Sequence, residues 1–299
     1  MSIPSIAAYS LPPLAEAPAN RVSWELVPQR AVLLVHDMQE YFLRFFERAR
    51  SPLSQVLSHV ASLATACRAA GVPVVYTAQP PVQTREQRGL LNDLWGPGIT
   101  AHPHAHDIVS ELRPHAGDIM VTKFRYSAFH GTDLQQRLQQ LGRDQLIVCG
   151  VYAHIGCLLT ACDAFMHDVQ PFFATDAVAD FSREHHELAI RYAAERCAVA
   201  LDTSSLLAAL GATAPVGARQ QQALRAAVAA VLDVPVSEIA DEEDLFDLGM
   251  DSIRLMALVE ELRAQGTPIM FEDIAECRTL QAVCELVAAA AALQAQDPT

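Results

Sequence analysis

The stretch QLIVCGVYAHIGCLLTA, residues 145–161, carries the strongest fold signal in the sequence. After Gln145 the run is apolar and β-branched up to Gly150, which is typical of a short strand buried on both faces. The residues that follow the glycine enter a segment whose apolar side chains have helical spacing. A buried strand that passes through a turn into a helix predicts one unit of an α/β fold.

Similar short apolar runs occur on both sides of this unit. Helical patterns lie between them, and two of these stop at a glycine that can cap a helix: 54–70 at Gly71 and 133–141 at Gly142. Because strands and helices alternate, we expect a parallel open sheet that binds its ligand beyond the carboxyl ends of its strands. The predicted strands are 31–36, 72–77, 118–122, 145–150 and 170–175.

Composition and charge predict a second, smaller domain. The 299 residues are 51% hydrophobic, enough for a sizeable core. The stretch GATAPVGAR, 211–219, has small residues without periodicity and predicts a linker. Residues 220–299 hold 15 Asp or Glu against 4 Lys or Arg, so most of the negative charge lies after the linker. Apolar periodicity there predicts about four helices, at 220–232, 243–248, 252–265 and 280–293.

The same features exclude several classes of protein. An acidic surface repels nucleic acid and anionic membranes, and no apolar run is long enough to cross a bilayer. The N-terminal residues lack the pattern of a signal peptide, so we expect a cytoplasmic protein. Its seven cysteines have no metal-site spacing and should stay reduced. We therefore expect partners other than nucleic acid or membrane.

A serine at the start of a predicted helix marks the second domain. In LGMDSIR, 248–254, Gly249 allows a tight turn and either Asp251 or Ser252 can cap the helix. Within an acidic helical module after a linker, this motif resembles the aryl carrier proteins over about residues 220–292. The resemblance implies that Ser252 bears a covalent 4'-phosphopantetheine arm, which a helix N-terminus suits because its free amides attract phosphate. It also implies partner contacts from the same helix, at Ile253, Met256 and Glu260.

Polar residues follow three of the predicted strands of the first domain. Asp37 follows the first strand with Gln39 beside it, and Lys123 follows the third. The fourth strand leads into the turn at 150–157. Taken singly, such an Asp is usually a turn former and such a Lys is usually solvated. Together these strand ends should converge on one crevice, and the set resembles the isochorismatase-like hydrolases over about residues 24–210.

The two resemblances together imply the whole architecture. We expect a three-layer α/β isochorismatase-like hydrolase domain built on a parallel sheet over residues 1–210. A linker should cover 211–219, and an all-α four-helix aryl carrier domain should cover 220–299.

A cysteine in the quoted stretch raises the question of the nucleophile. The cysteine-using members of the resembled family carry Asp, Lys and Cys, and their Cys position falls on Gly156 here, one residue before Cys157. One helical position turns a side chain by about 100°, so we expect Cys157 to point away from Asp37 and Lys123 and to pack in the core. A site with Asp and Lys but without the thiol resembles that of the isochorismatases proper.

That resemblance implies hydrolysis of the isochorismate vinyl ether to 2,3-dihydro-2,3-dihydroxybenzoate and pyruvate. Asp37 would be the general acid that protonates the methylene carbon, after which water adds and the hemiketal collapses. Burial and a dianionic substrate raise the pKa of such an Asp, whereas the neighbouring Lys123 lowers it. We expect Lys123 to orient Asp37 and hold the anionic substrate, and Gly156 to leave room for it.

Further residues of the site follow from the same resemblance. Gln79 and Arg88 match substrate-binding positions, with Arg88 pairing a carboxylate, and Tyr152 should line the wall opposite. The Val151–Tyr152 peptide bond is often cis in the family. Three aromatic residues, Phe42, Phe46 and Trp95, line the pocket or pack in the core. Ser182 should cap a helix, and the histidines of HPHAH, 102–106, are not expected to bind metal because the related metal motif is absent.

The resulting hypothesis is a bifunctional isochorismatase and aryl carrier of catechol siderophore assembly that needs no metal. It implies as partners a phosphopantetheinyl transferase, a 2,3-dihydroxybenzoate-AMP ligase and a condensation enzyme of a non-ribosomal peptide synthetase, and also a homodimer. Two alternatives remain open from the sequence. One is a cysteine amidase that uses Cys157, and the other is a carrier scaffold without catalysis.

Overall fold

The computed structural model describes residues 3–211, 216–232, 234, 239, 244–264, 269–275, 277–284 and 286–287. The chain forms two compact units, Met1–Thr213 and Ala214–Thr299. The boundary between them falls within the stretch predicted to be a linker. Within the described residues, no helix is both long and apolar enough to cross a membrane.

The first unit is built on a parallel sheet of six strands in the order β3-β2-β1-β4-β5-β6. The parallel arrangement confirms the expected fold class. The sequence pattern missed the last strand, because three residues are too few for a periodic signal. The strands are β1 Ala31–His36, β2 Val74–Ala78, β3 Ile119–Thr122, β4 Gln145–Val151, β5 Gln170–Ala179 and β6 Val199–Leu201.

Helices cover both faces of this sheet and make a three-layer domain. One layer packs α5, α6 and α7 on alternate residues of β1 and β4, such as Leu34 and Val148. The opposite layer holds α2 and α8, which contact each other and β5. The helices are α1 Glu40–Leu43, α2 Leu53–Ala69, α3 Arg85–Arg88, α4 Leu91–Trp95, α5 Leu134–Leu141, α6 Leu158–Met166, α7 Arg183–Tyr192 and α8 Thr203–Ala209, and π-helical turns at Ala153–Cys157 and Ala193–Cys197 precede α6 and follow α7.

The strand order reverses direction between β1 and β4, and this places the crevice of the domain. At such a switch point the connections leave to opposite sides, so a pocket opens beyond the carboxyl ends of the two strands. The backbones of β1 and β4 approach closely at this end, where His36 pairs with Gly150. Gly150 has a φ of 111°, and a Cβ there would overlap the carbonyl oxygen of His36. Only glycine fits at this position.

The second unit contains a separate helical core. Its described helices are α9 Val216–Leu232, α10 Ser252–Ala264 and α11 Phe271–Ala275, and residues 280–284 and 286–287 are also helical. Apolar residues of these helices, including Val228, Leu258 and Val283, are fully buried together. The all-α character predicted for this unit agrees with these helices.

Three details of the second unit differ from the sequence-based expectation. Residues 216–219, assigned to the linker, begin α9, since nothing after Pro215 interrupts a helix. Residues 244–248 form turns and a bridge between Asp244 and Thr279, not a helix, because the Asp244 carboxylate accepts the Phe246 N–H and pairs with Arg278. Helix α11 was not predicted. Residue 265 and residues 288–293, which are the predicted C-terminal ends of two helices, lie outside the described residues.

Candidate active site and carrier serine

A cavity lies at the carboxyl ends of β1 and β4. Its empty volume, with the open mouth included, is about 550 Å³. The six site residues predicted in this unit all line it: Asp37, Gln79, Arg88, Lys123, Tyr152 and Gly156. The fold therefore brings together side chains from four different strand ends.

Asp37 lies at the base of the cavity and its carboxylate is fully engaged. Lys123 Nζ is 2.8 Å from Oδ2, and the Thr77 hydroxyl donates to Oδ1 at 2.6 Å. Thr77 Oγ1 in turn accepts the Asp37 backbone N–H. Asp37 has a φ of 50°, a left-handed conformation that Asp tolerates better than most residues. This backbone turns the carboxylate off the end of β1 and into the pocket.

The ionisation state of Asp37 is decided by two opposing effects. Burial raises the pKa of this carboxyl group, while the Lys123 ammonium, His36 and the Thr77 hydroxyl lower it. The net result is a pKa of Asp37 below its ordinary value. In the free site Asp37 is therefore a carboxylate near neutral pH.

Lys123 is held in place by the loop that follows β3. It is only 1% exposed, and its ammonium group donates to the carbonyl oxygens of Arg125 at 2.7 Å and Tyr126 at 3.3 Å, besides its pairing with Asp37. Three acceptors match the three N–H bonds of an ammonium group. A solvated lysine, the usual outcome for this residue type, is thus not what the structure shows.

Arg88 is the positive group of the pocket that faces no carboxylate. It is buried, its Nε donates to the Gly96 carbonyl oxygen at 2.5 Å, and no acidic partner is recorded for it among the described residues. Burial lowers the pKa of Arg88, yet a guanidinium remains charged. A desolvated guanidinium without a carboxylate partner in a cavity favours binding of an anionic ligand. Gly98 packs so close to this guanidinium that a Cβ there would overlap it.

Gln79 is positioned by a residue whose importance the sequence did not show. Its backbone N–H donates to Gln39 Oε1 at 2.8 Å, and Gln39 Nε2 donates to the carbonyl oxygens of Gln79 and His106. Gln83 Nε2 donates to Gln79 Oε1 at 3.1 Å. Gln39 therefore ties the loop after β2 to the loop around residue 106, although only its adjacency to Asp37 was visible in the sequence.

The wall opposite Asp37 is aromatic. The Tyr152 hydroxyl donates to the Phe42 carbonyl oxygen at 2.7 Å, so Tyr152 lines the cavity with its ring and not with a free hydroxyl group. Phe181 packs against it with ring centroids 4.6 Å apart. Trp95 and Phe42 also line the cavity, whereas Phe46 does not and stacks behind Tyr152. The Val151–Tyr152 peptide bond is cis.

Gly156 lines the cavity, and the neighbouring Cys157 does not. Cys157 is completely buried in the hydrophobic core, and burial raises the pKa of its thiol well above the usual value. Such a thiol is a poor nucleophile, in agreement with the predicted packing role. The space beside Gly156 contains the imidazole of His36, because a Cβ on Gly156 would overlap His36 Cε1. The expectation that this space is left for substrate is thus wrong in part.

Ser252 is exposed at the first position of α10. The Asp251 carboxylate accepts the N–H groups of Ile253 at 3.0 Å and Arg254 at 2.8 Å, so Asp251 caps the helix and leaves the serine at the surface. Gly249 has a φ of 96°, and Arg254 donates to its carbonyl oxygen. Two apolar side chains beside the serine, Ile253 and Met256, are 80% and 58% exposed.

Sequence reasoning missed two polar residues of the first site, His36 and Thr77, and also the aromatic Phe181. The two polar residues lie inside apolar strands, where a polar side chain is read as part of the core. Their shared signal is the presence of a polar residue at the last or next-to-last strand position before the crevice. Among the described residues, the ligand atoms of His154, Asp180 and His185 lie within 4.8 Å of one another, close enough to hold a metal ion.

Family models match both units of the chain. The isochorismatase domain model matches residues 31–205, and the phosphopantetheine attachment site model matches residues 222–287. An isochorismatase of Bacillus subtilis is 45% identical over 293 residues, which cover 94% of each chain. Enterobactin synthase component B of Escherichia coli is 44% identical over 287 residues, which cover 96% of this chain and 98% of the relative.

A solved structure shares the fold of the first unit. The cysteine hydrolase of Pseudomonas syringae pv. phaseolicola superposes with a TM-score of 0.58 at 23% identity, and covers 66% of this chain and 98% of its own. At this identity the similarity concerns the fold alone. The matched family model and the relatives that match along most of the length are the stronger finding. The chain belongs to the isochorismatase family and continues into a phosphopantetheine attachment domain.

Proposed function

We propose that this chain hydrolyses the vinyl ether of isochorismate to 2,3-dihydro-2,3-dihydroxybenzoate and pyruvate, and that it also carries the 2,3-dihydroxybenzoyl group on a phosphopantetheine arm. The observation that carries the first half is the buried Asp37–Lys123 pair that lines the same pocket as Gly156. Cys157, which the amidase alternative requires, does not reach that pocket.

Asp37 acts as the general acid in this reaction. In the free site it is ionised, but a bound dianion adds negative charge and removes water, and both effects raise the pKa of Asp37. The protonated carboxyl group then transfers its proton to the methylene carbon, and the oxocarbenium ion that results accepts water. One proton of that water returns to the carboxylate. The hemiketal then collapses to pyruvate and the diol, and its hydroxyl proton passes to the leaving ring oxygen. One water is consumed and the enzyme is unchanged.

The remaining residues bind and orient the substrate. Arg88 pairs with a carboxylate of isochorismate, because it is a buried guanidinium without an acidic partner among the described residues. Lys123 orients Asp37 and offsets the second negative charge. Gln79 and the rings of Tyr152, Phe181 and Trp95, which all line the cavity, enclose the ring of the substrate. Gly156 lines the same wall.

Pyruvate release from isochorismate tests the hydrolytic half. The Asp37→Asn variant keeps the shape of the side chain and removes the acid, so kcat should fall by at least about 100-fold. Asp168→Asn is a matched control, since Asp168 also has a positive φ (58°) but is exposed and remote from the cavity. The control should keep wild-type kcat. Equal activity of Asp37→Asn and wild type would contradict the proposal.

The carrier half is supported by the family match and by the exposed serine. Ser252 is the attachment residue, because it is unburied at a helix N-terminus where phosphate is favoured. Incubation with a phosphopantetheinyl transferase and coenzyme A should add one phosphopantetheine to the chain, as measured by intact-mass spectrometry. The Ser252→Ala variant should show no increase in mass, and the Asp37→Asn variant should show the full increase of one phosphopantetheine. A gain on Ser252→Ala would place the arm elsewhere.

The partners follow from these two activities. They are the transferase, a 2,3-dihydroxybenzoate-AMP ligase that loads the arm, and a condensation enzyme of a non-ribosomal peptide synthetase that unloads it for a siderophore. Ile253, Met256 and Glu260 are all exposed and form the contact surface for them. We also propose a homodimer, and the exposed apolar side chains of α6 and α7, such as Met166 and Tyr192, support this. Sedimentation of the full chain tests it.

A further inference from the structure

His36 lines the cavity although its side chain is almost completely buried. Its side chain is 1% exposed, and it directly precedes Asp37 at the end of β1. A Cβ added to Gly156 would overlap His36 Cε1 and lie 2.9 Å from each ring nitrogen. Contacts below 3.0 Å are not sustained between such atoms, so the imidazole and any larger residue at position 156 exclude each other.

The imidazole also bridges two segments that carry site residues. Nδ1 is 2.8 Å from the carbonyl oxygen of Val151 at the end of β4, and Nε2 is 3.2 Å from the carbonyl oxygen of Tyr126. The Tyr126 oxygen is the one that also accepts from Lys123. The ring therefore stands between the strand end that leads to Tyr152 and the loop that holds Lys123.

The protonation state of the ring identifies its main hydrogen bond. Burial lowers the pKa of His36 to about 4, and Lys123 acts in the same direction while Asp37 opposes both. Near neutral pH the ring is neutral and has one N–H to donate. The shorter contact assigns this N–H to Nδ1, which donates to the Val151 carbonyl oxygen.

From these contacts we infer that His36 is a positioning residue of the hydrolytic site, and that residue 156 is a glycine in order to accommodate the His36 ring. The ring fixes the distance between the β4 end and the loop after β3, and through them the placement of Lys123 against Asp37. This inference rests on the proposed function for its kinetic part. Its packing part concerns only the contact between residues 36 and 156.

A double-mutant cycle tests the contact. In the otherwise wild-type chain, Gly156→Ala should displace the ring and lower kcat by about 100-fold, the usual effect of a misplacement of about 1 Å. In a His36→Ala background the added methyl group has room, so the same substitution should change kcat by less than about threefold. If Gly156→Ala lowers kcat by the same factor in both backgrounds, the methyl group acts on the substrate directly and the inference is overturned.

Thermal unfolding of the same four proteins makes the test independent of catalysis. Gly156→Ala should lower the Tm of the wild-type chain and leave the Tm of the His36→Ala chain almost unchanged. Failure of Gly156→Ala to fold, together with folding of the double variant, would support the contact even more strongly. Failure of both to fold would overturn it, because the methyl group would then clash with something other than His36.

Two further variants separate positioning from simple space filling. His36→Asn keeps an N–H donor near the Nδ1 position, whereas His36→Leu keeps the volume and removes the donor. Positioning predicts that the Asn variant retains at least about tenfold more kcat than the Leu variant, with KM values that differ less than kcat. Equal or higher kcat for Leu would overturn the positioning role. If the wild-type chain releases no pyruvate from isochorismate, the proposed function fails. The Tm values of the four proteins still test the contact between His36 and residue 156 in that case.

Discussion

At the scale of single residues, the site is a balance between burial and charge pairing. Asp37 and Lys123 are 4% and 1% exposed, and each would be expensive to bury alone. Their 2.8 Å contact, the Thr77 hydroxyl and two carbonyl oxygens satisfy both ions. The Asp37 carboxylate is stable as an ion without substrate, and its proton affinity should rise when an anion binds, so it is suited to be an acid that acts only with substrate present.

Arg88 gives a prediction at this scale. Arg88→Lys keeps the positive charge but loses the forked geometry that pairs with a carboxylate, so KM for isochorismate should rise at least about tenfold while kcat falls less. The measurement is steady-state pyruvate release. Arg85→Lys, an exposed position one helical turn away, should leave KM unchanged. A loss confined to kcat would show that Arg88 acts in the chemical step and not in binding.

At the scale of elements, each site residue depends on how a strand or helix ends. Asp37 and Lys123 each directly follow the last residue of a strand, because in a parallel sheet these ends meet at one edge. Asp180, fully buried after β5, accepts the His154 N–H at the start of the π-helical turn before α6 and also binds the His154 ring. This ties the end of β5 to the turn that contains Gly156.

The capping of α7 provides a prediction at the element scale. Ser182 Oγ accepts the backbone N–H of His185, so Ser182→Ala should lower the free energy of unfolding of the first unit by about 1 kcal/mol. Urea titration followed by tryptophan fluorescence measures this, since Trp24 and Trp95 both belong to that unit. Ser182→Asp should retain the cap and the stability. If Ser182→Asp lowers the free energy of unfolding as much as Ser182→Ala does, the side chain at position 182 does not cap the helix.

At the scale of the whole molecule, two activities share one chain without sharing residues. The hydrolytic cavity is formed within Met1–Thr213, and the carrier serine belongs to Ala214–Thr299. Each unit has its own apolar core. The proposed product of the first unit is a precursor of the acyl group that the second would carry, and it must first be oxidised by loss of two hydrogens and then activated by other enzymes, so the chain joins two separated steps of one route.

Acid should destabilise the first unit before its carboxylates are protonated. The pKa of His36 is lowered to about 4 and that of buried His186 is also lowered, so between about pH 6.5 and 4 the unfolded chain binds more protons than the folded one. The free energy of unfolding therefore decreases as the pH is lowered across that window. His36 alone accounts for a loss of about 2 kcal/mol between about pH 7 and 5. Below this pH window, protonation of Asp37, whose pKa is also lowered, decreases the free energy of unfolding further.

Tryptophan-monitored urea unfolding at several pH values measures this effect in the first unit. The His36→Asn variant has no imidazole at this position, so its free energy of unfolding should depend less steeply on pH over the same window, whatever its absolute stability. Equal slopes for the variant and the wild type would show that His36 does not titrate as its burial implies.

Much of this molecule could be predicted from local patterns. Alternating apolar runs and helical segments predicted the parallel α/β sheet, and residues that follow strands predicted Asp37 and Lys123, because strand ends are local features whose meeting point is a rule of the fold. The same patterns failed for β6 and for residues 244–248, where the signal is short or where a side chain of Asp244 competes with the backbone.

Contacts between segments were decided only by the tertiary structure. That Thr77 holds Asp37, that Gln39 holds Gln79, and that His36 occupies the space beside Gly156 depends on residues 40 to 120 positions apart in the chain. Periodicity reports which face of an element is buried, but not which side chain of a distant element fills the space there. The sequence by itself determined the kind of sheet and the strand ends that carry the acid and the amine. Packing between the elements determined which atoms surround them, because that depends on close contact among side chains that no local pattern encodes.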